Sequence, residues 1–191
     1  MAILKVSRLG HPVLRRRAQA VPPDQVQSPP LQRVVEDMVD TMVDYEGIGL
    51  AAPQVHVPLR VVLFRVPAER IVEEPGAEPV GWTTLVNPVV APLGEEKELG
   101  WEGCLSAPRL RGVVPRHARV RYGGVTPEGE EITRETSGFH ARVVQHECDH
   151  LDGVLFPMRM TDLSLLSFTE ELRHGLAGEV AARRDTAGNI P

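Results

Sequence analysis

The segment His146-Glu147-Cys148-Asp149-His150 constrains this chain more than any other. Histidines at i and i+4 share one face of a helix, so both imidazoles can reach a single metal ion. Glu147 then stands beside the metal without having to ligate it. It can take a proton from a water held there. This is the minimal apparatus for metal-assisted hydrolysis, and it requires a helix at that point of the fold. Thr136 or Ser137 supplies a cap for that helix, which is expected to run to about Leu151, with Gly153 beyond its end.

The rest of the chain supplies surroundings for the helix. Its 191 residues fit one domain with a proper core, and 42% of them are hydrophobic. Ser28-Pro29 reads as a cap and first-turn proline. Leu31, Val34, Val35, Met38, Val39, Met42 and Val43 follow at helical spacing, a core stripe ending near Gly47. Residues 58–66 and 82–90 are rich in β-branched side chains and read as strands, with a loop over 67–81. Glu95-Glu96-Lys97-Glu98 reads as a solvated turn. Residues 117–122 and 130–135 form an expected hairpin, with Gly123-Gly124 and Pro127-Glu128-Gly129 between them. Strands cluster before the motif helix without βαβ alternation. The fold class expected is therefore α+β: antiparallel sheets packed around a central metal-binding helix, with an N-terminal and a C-terminal helix. Residues 1–175 are expected to form one catalytic domain and 176–191 a tail.

Charge and cysteine usage exclude several classes of function. A net charge of -5 gives no general attraction to nucleic acid or an anionic membrane. No apolar run approaches the roughly 18 residues that cross a bilayer. Two cysteines, Cys104 and Cys148, make no disulfide framework and suit a reducing cytoplasm. The acid-free first 23 residues contain Arg15-Arg16-Arg17, faintly like a transit peptide. Gly10, Pro12 and Pro22-Pro23 interrupt any long amphipathic helix, so the segment is read as part of the domain.

Two histidines do not complete a catalytic metal site, which usually has three protein ligands and one open position. The extension HExxHxxGxxH fails: Gly153 is in place, but Phe156 stands where the third histidine would be. A glutamate on a later helix is a second solution, and Glu170, Glu171 and Glu179 lie downstream. Cys104, in Trp101-Glu102-Gly103-Cys104-Leu105-Ser106, is the third candidate, as a thiolate at a strand edge.

Three segments together resemble the signature motifs of the peptide deformylase family. They are Gly47-Ile48-Gly49-Leu50-Ala51-Ala52-Pro53-Gln54, Glu102-Gly103-Cys104-Leu105-Ser106 and Gln145-His146-Glu147-Cys148-Asp149-His150-Leu151. The resemblance runs from about residue 3 to about 173. It implies that Cys104, His146 and His150 hold one divalent metal, usually Fe(II) in the cell, with Zn, Ni or Co in purified protein. It implies Glu147 as the proton carrier, with the Gln54 side chain and the Leu105 N–H as oxyanion donors. The backbone of Ile48 and Gly49 would pair with an extended substrate. Gly103, Glu102 and Arg111 would border the substrate. Ile48, Phe139 and Val143 would line a methionine pocket, the last two on the metal-facing side of the helix. The implied reaction removes the formyl group from N-formylmethionyl nascent polypeptides in the cytoplasm. Contact at the ribosome exit, oligomeric state and an organelle origin stay open.

Blander readings stand beside these. His11, His56, His117, His140 and His174 read as ordinary core or surface residues, and Cys148 as packing. Glu102 and Arg111 form a pair at the pocket rim or on the plain surface. Arg142, one turn before His146, touches substrate or is simply solvated, and the solvated reading is favoured. The rival functions are a zinc endopeptidase with a glutamate or histidine third ligand, and a catalytically dead metal-binding module.

Overall fold

Two antiparallel sheets meet across one buried helix in the computed structural model, which describes residues 2–72 and 77–174. In chain order the elements are α1 (Pro29–Asp44), β1 (Gly49–Ala51), β2 (Val61–Val66), β3 (Val80–Pro92), β4 (Lys97–Cys104), β5 (Ala107–His117), β6 (Arg119–Val125), β7 (Glu131–Ser137), α2 (Gly138–Leu151) and β8 (Ser167–Phe168). One sheet has the order β1-β2-β3-β6-β7 and the other β4-β5-β8. Neighbouring strands pair antiparallel throughout both. The expected α+β architecture is therefore present. Of the expected C-terminal helix, the described part is a 3-10 turn over Thr169–His174. The tail 176–191 lies outside the described residues.

Only Ala118 separates β5 from β6, so the chain passes from the small sheet to the large one in a single step. Its N–H donates to the Glu96 carbonyl, and its own carbonyl accepts from Gly138 N–H. The crossing is thereby tied to the start of α2. That helix packs on β1, β2, β3, β6 and β7 of the large sheet and on β5 of the small one.

The core follows from this placement. Leu31, Met38 and Met42 of α1 are buried with Leu50, Val61, Leu63 and Val86 under one face of the large sheet. Val143, Val144 and Leu151 of α2 are buried with Val62, Phe64, Leu85 and Tyr122 under the other. Each such side chain contributes roughly 1.5–3 kcal/mol by leaving water. Val43 departs from the expected core stripe and is 56% exposed. It sits about 100° around the helix from Met42, which takes the core position. The N-terminal segment belongs to the domain: Val6, Leu14, Ala18 and Val21 are buried, and Ser7 N–H donates to the Gln54 carbonyl.

Two glycine readings change. The left-handed residue after α1 is Glu46, at φ 52, rather than Gly47. Gly47 serves packing instead, since a Cβ there would meet Leu105 Cδ1 and Met42 Cγ at 3.0 Å. Gly123 and Gly124 lie inside β6, not in the hairpin turn. A Cβ on Gly123 would meet the Ile132 carbonyl at 2.6 Å, so the close strand pairing is what selects glycine. The turn falls at Thr126–Glu130, where Gly129 has φ +92.

Candidate active site and metal centre

Helix α2 begins as expected after Ser137, although the serine side chain makes no capping hydrogen bond. It carries His146, Glu147 and His150 into the interior, all buried. Strand β4 ends at Cys104, where a register irregularity after Gly103 turns the chain. Cys104, His146 and His150 each offer one ligand atom, and these lie within 4.8 Å of one another. Cys104 Sγ is 3.3 Å from His150 Nε2. Ligand atoms around a tetrahedral ion stand about 3.5 Å apart, so this donor set fits a divalent metal. The competing third ligands are elsewhere. Glu170 pairs with Arg109 and Glu171 lies 3.8 Å from His174, while Glu179 is outside the described residues.

Of the two histidines, His146 is held from behind. His146 Nδ1 lies 2.8 Å from Glu102 Oε2, which leaves Nε2 for the metal. Burial would push the Glu102 carboxyl up, but His146 and Arg116 hold it well below the ordinary carboxylate range. Burial likewise opposes ionisation of Cys104, yet His150 and His146 more than offset it and hold the thiol well below its usual value. A thiolate is the form that binds metal. His150 Nδ1 is buried with no hydrogen-bond partner among the described residues.

Glu147 is the one acid beside the triad that is not engaged in an ion pair among the described residues. Its Oε2 is buried and unpartnered. Burial raises its carboxyl to about 7, although His146 and His150 pull the other way. A proton carrier works best when its pKa lies near the operating pH. Gly49 makes room for it, since a Cβ at that position would collide with the Glu147 carboxylate.

Gln54 is 1% exposed and fixed at both ends of its amide. Its Oε1 accepts from Ala51 N–H at 2.7 Å, and its Nε2 donates to Ser106 Oγ at 3.0 Å. The same Nε2 is 3.4 Å from Cys104 Sγ, so the amide donor faces the triad.

A cavity of about 900 Å3 opens beside these residues. Ile48, Gly49, Gln54, Glu102, Gly103, Cys104, Leu105, Arg111, Phe139, Val143, His146 and Glu147 all line it. The structure thus brings the expected residues to one place, with His150 buried against Cys104 outside the cavity lining. Ile48, Phe139 and Val143 pack together as an apolar wall.

Glu102 and Arg111 do not form the expected pair. Gly103 is registered opposite Arg111, and successive strand residues point to opposite faces. Arg111 therefore lies over Gly103, and a Cβ there would collide with its Nη1. Glu102 faces the other way, toward Arg116 and His146. Arg142 is not solvated either: it is buried and donates to Glu102 Oε1 at 3.0 Å. Sequence reasoning also missed Arg116, which bridges Glu102 and Asp149. The available signal was its alternation: Glu102, Gly112, Val114 and Arg116 share one face of the β4-β5 pair.

A helix carrying two histidines and a glutamate, with a thiol brought in from a strand, is the arrangement of a metal-dependent hydrolase. Residues 3–165 match the family model described as polypeptide deformylase. The chain is 50% identical over 173 residues to peptide deformylase 1 of Nitrosomonas europaea, covering 91% of this chain and 96% of that protein. It is 48% identical over 174 residues to peptide deformylase 2 of Pseudomonas putida, covering 91% and 97%. Among solved structures, it resembles the class I type b peptide deformylase of Acinetobacter baumannii with Met-Ala-Ser bound. That TM-score is 0.76 at 37% identity, over 83% of this chain and 99% of the other. The deformylase of Thermotoga maritima gives 0.73 at 34% identity, over 85% and 100%. This chain belongs to the polypeptide deformylase family and is an enzyme of that family. Among the described residues no helix is long and apolar enough to cross a membrane.

Proposed function

We propose that this chain removes the N-formyl group from the N-formylmethionine of nascent polypeptides in the cytoplasm, releasing formate. The observation that carries the reading is the Cys104/His146/His150 triad beside a cavity that Glu147 and Gln54 also line. Cys104, His146 and His150 hold one divalent ion, Fe(II) in the cell, with Zn, Ni or Co able to take its place. When bound, the ion supplies Lewis acidity toward a water molecule and the formyl oxygen.

The protein's own groups do the rest. Glu147 accepts the proton of the attacking water and returns one to the departing amine. Its burial and its raised carboxyl both suit that exchange near neutrality. Gln54 Nε2 and the Leu105 N–H face the oxygen on which negative charge develops. The methionine side chain rests on Ile48, Phe139 and Val143. Gly103 and Arg111 border the following residues.

The substrate backbone lies along β1. The Ile48 carbonyl already accepts from Arg65 N–H at 2.8 Å, so it points into the sheet. Alternation then leaves the Gly49 N–H and carbonyl on the open edge, where they meet an extended peptide. Glu102 is reassigned from bordering the substrate to orienting His146.

Protein purified anaerobically with Fe(II) is expected to release formate from formyl-Met-Ala-Ser, with about one metal per chain. Bound metal with no formate would favour a dead module, and cleavage of internal bonds in unblocked peptides would favour an endopeptidase. The Gln54→Ala variant is expected to lose roughly 100- to 1,000-fold in kcat with little change in KM. A pure KM defect would remove Gln54 from the oxyanion role.

A further inference from the structure

We propose that Arg142 is a positioning residue that fixes the separation between the strand carrying Cys104 and the helix carrying His146 and His150. The proposal rests on the metal-triad reading above. Arg142 lies on α2 one turn before His146, and its guanidinium is shared among β4 and β5. Nη2 donates to the Glu98 carbonyl at 2.7 Å. Nη1 donates to the Val114 carbonyl at 2.8 Å and to Glu102 Oε1 at 3.0 Å, with the Gly100 carbonyl at 3.4 Å. Gly100 leaves the space, since a Cβ there would meet the guanidinium at 2.7 Å.

The Glu102 carboxylate shows why this matters to the triad. Its Oε1 accepts from Arg116 Nε and Arg142 Nη1, and its Oε2 from Arg116 Nη2 and His146 Nδ1. Two acceptor directions on each oxygen are then filled, so the carboxylate cannot rotate without breaking a buried charged bond. Arg116, on β5, holds Glu102 from within the small sheet and also pairs with Asp149 at the far end of α2. Arg142 is the guanidinium on Glu102 that comes from the helix itself. Of the described side chains that join β4 to α2 it is the one whose bonds reach three residues of that strand, Glu98, Gly100 and Glu102, so it holds the spacing between β4 and α2 and with it the thiolate and the two imidazoles. Partners standing behind metal ligands typically alter affinity 10- to 100-fold when removed.

The test compares Arg142→Leu and Arg142→Lys with wild type, each loaded with Co(II). The readouts are visible absorption, the rate of Co(II) transfer to a chromogenic chelator, and the melting temperature of the metal-free protein. Met38→Ala, in the separate core under α1, controls for general loosening. The expected result is 10- to 100-fold faster release from Arg142→Leu with an altered Co(II) spectrum, and partial recovery in Arg142→Lys. Met38→Ala should melt lower yet release Co(II) at close to the wild-type rate. Unchanged release from both Arg142 variants overturns the proposal, as does equally fast release from Met38→Ala. If Arg142→Leu does not fold, Arg142→Lys against Met38→Ala decides by the same measures. Failure of wild type to hold Co(II) would instead overturn the triad reading.

Discussion

Glu147→Ala is expected to keep its metal and lose turnover. The side chain is no part of the Cys104/His146/His150 ligand set, so its removal leaves all three donors in place. What disappears is the only buried carboxylate at the cavity end without an ion-pair partner among the described residues. Proton transfer by a positioned side chain contributes roughly 100- to 10,000-fold. Formate release should fall by at least that range, while the metal count stays near one per chain. Activity within about tenfold of wild type would end the proton-carrier role. Because removing Glu147 also relieves an unpaired buried oxygen, the variant should melt no lower than wild type.

Cys104→Ser is expected to do the converse and empty the site. Serine offers an oxygen that stays protonated near neutrality, whereas His150 and His146 hold the Cys104 thiol well below its usual value. Metal content should fall from near one per chain to a small fraction, and formate release should fall with it. Glu170→Gln and Glu171→Gln should leave both unchanged, since Glu170 pairs with Arg109 and Glu171 sits beside His174. Loss of metal in either glutamate variant with retention in Cys104→Ser would restore the endopeptidase arrangement of ligands.

How much of this was visible in the sequence depends on the range of the interaction. Helix α2 and its ligand pair are set by local periodicity, and β2 and β3 by local composition; both were legible. So was the large hairpin, because its turn residues are punctuation that acts over a few positions. Gly123 and Gly124 were misplaced into that turn because glycine signals freedom equally well in a loop and beside a close strand. The site's ligands were legible only through their motifs. What stands behind them was not. Arg142 contacts residues of β4 and β5 that lie 28 to 44 positions away in the chain. On the one-dimensional chain an arginine followed by two valines gives no sign of that. The Glu102 and Arg111 error has the same origin. Their partners were decided by which face of β4-β5 each occupies, and that needs the register.

Strand β1 ends the large sheet, yet all three of its residues are buried. An unpaired strand edge is ordinarily a risk, because it templates pairing with any other exposed edge and leads toward aggregation. Here the edge lies at the cavity wall, where Gly49 faces Glu147. With all three residues buried, the edge offers little surface to a second folded sheet, whereas an extended single chain needs only a narrow groove. The recess proposed to take the substrate thus also shelters a strand edge that carries no bulge, proline or lysine.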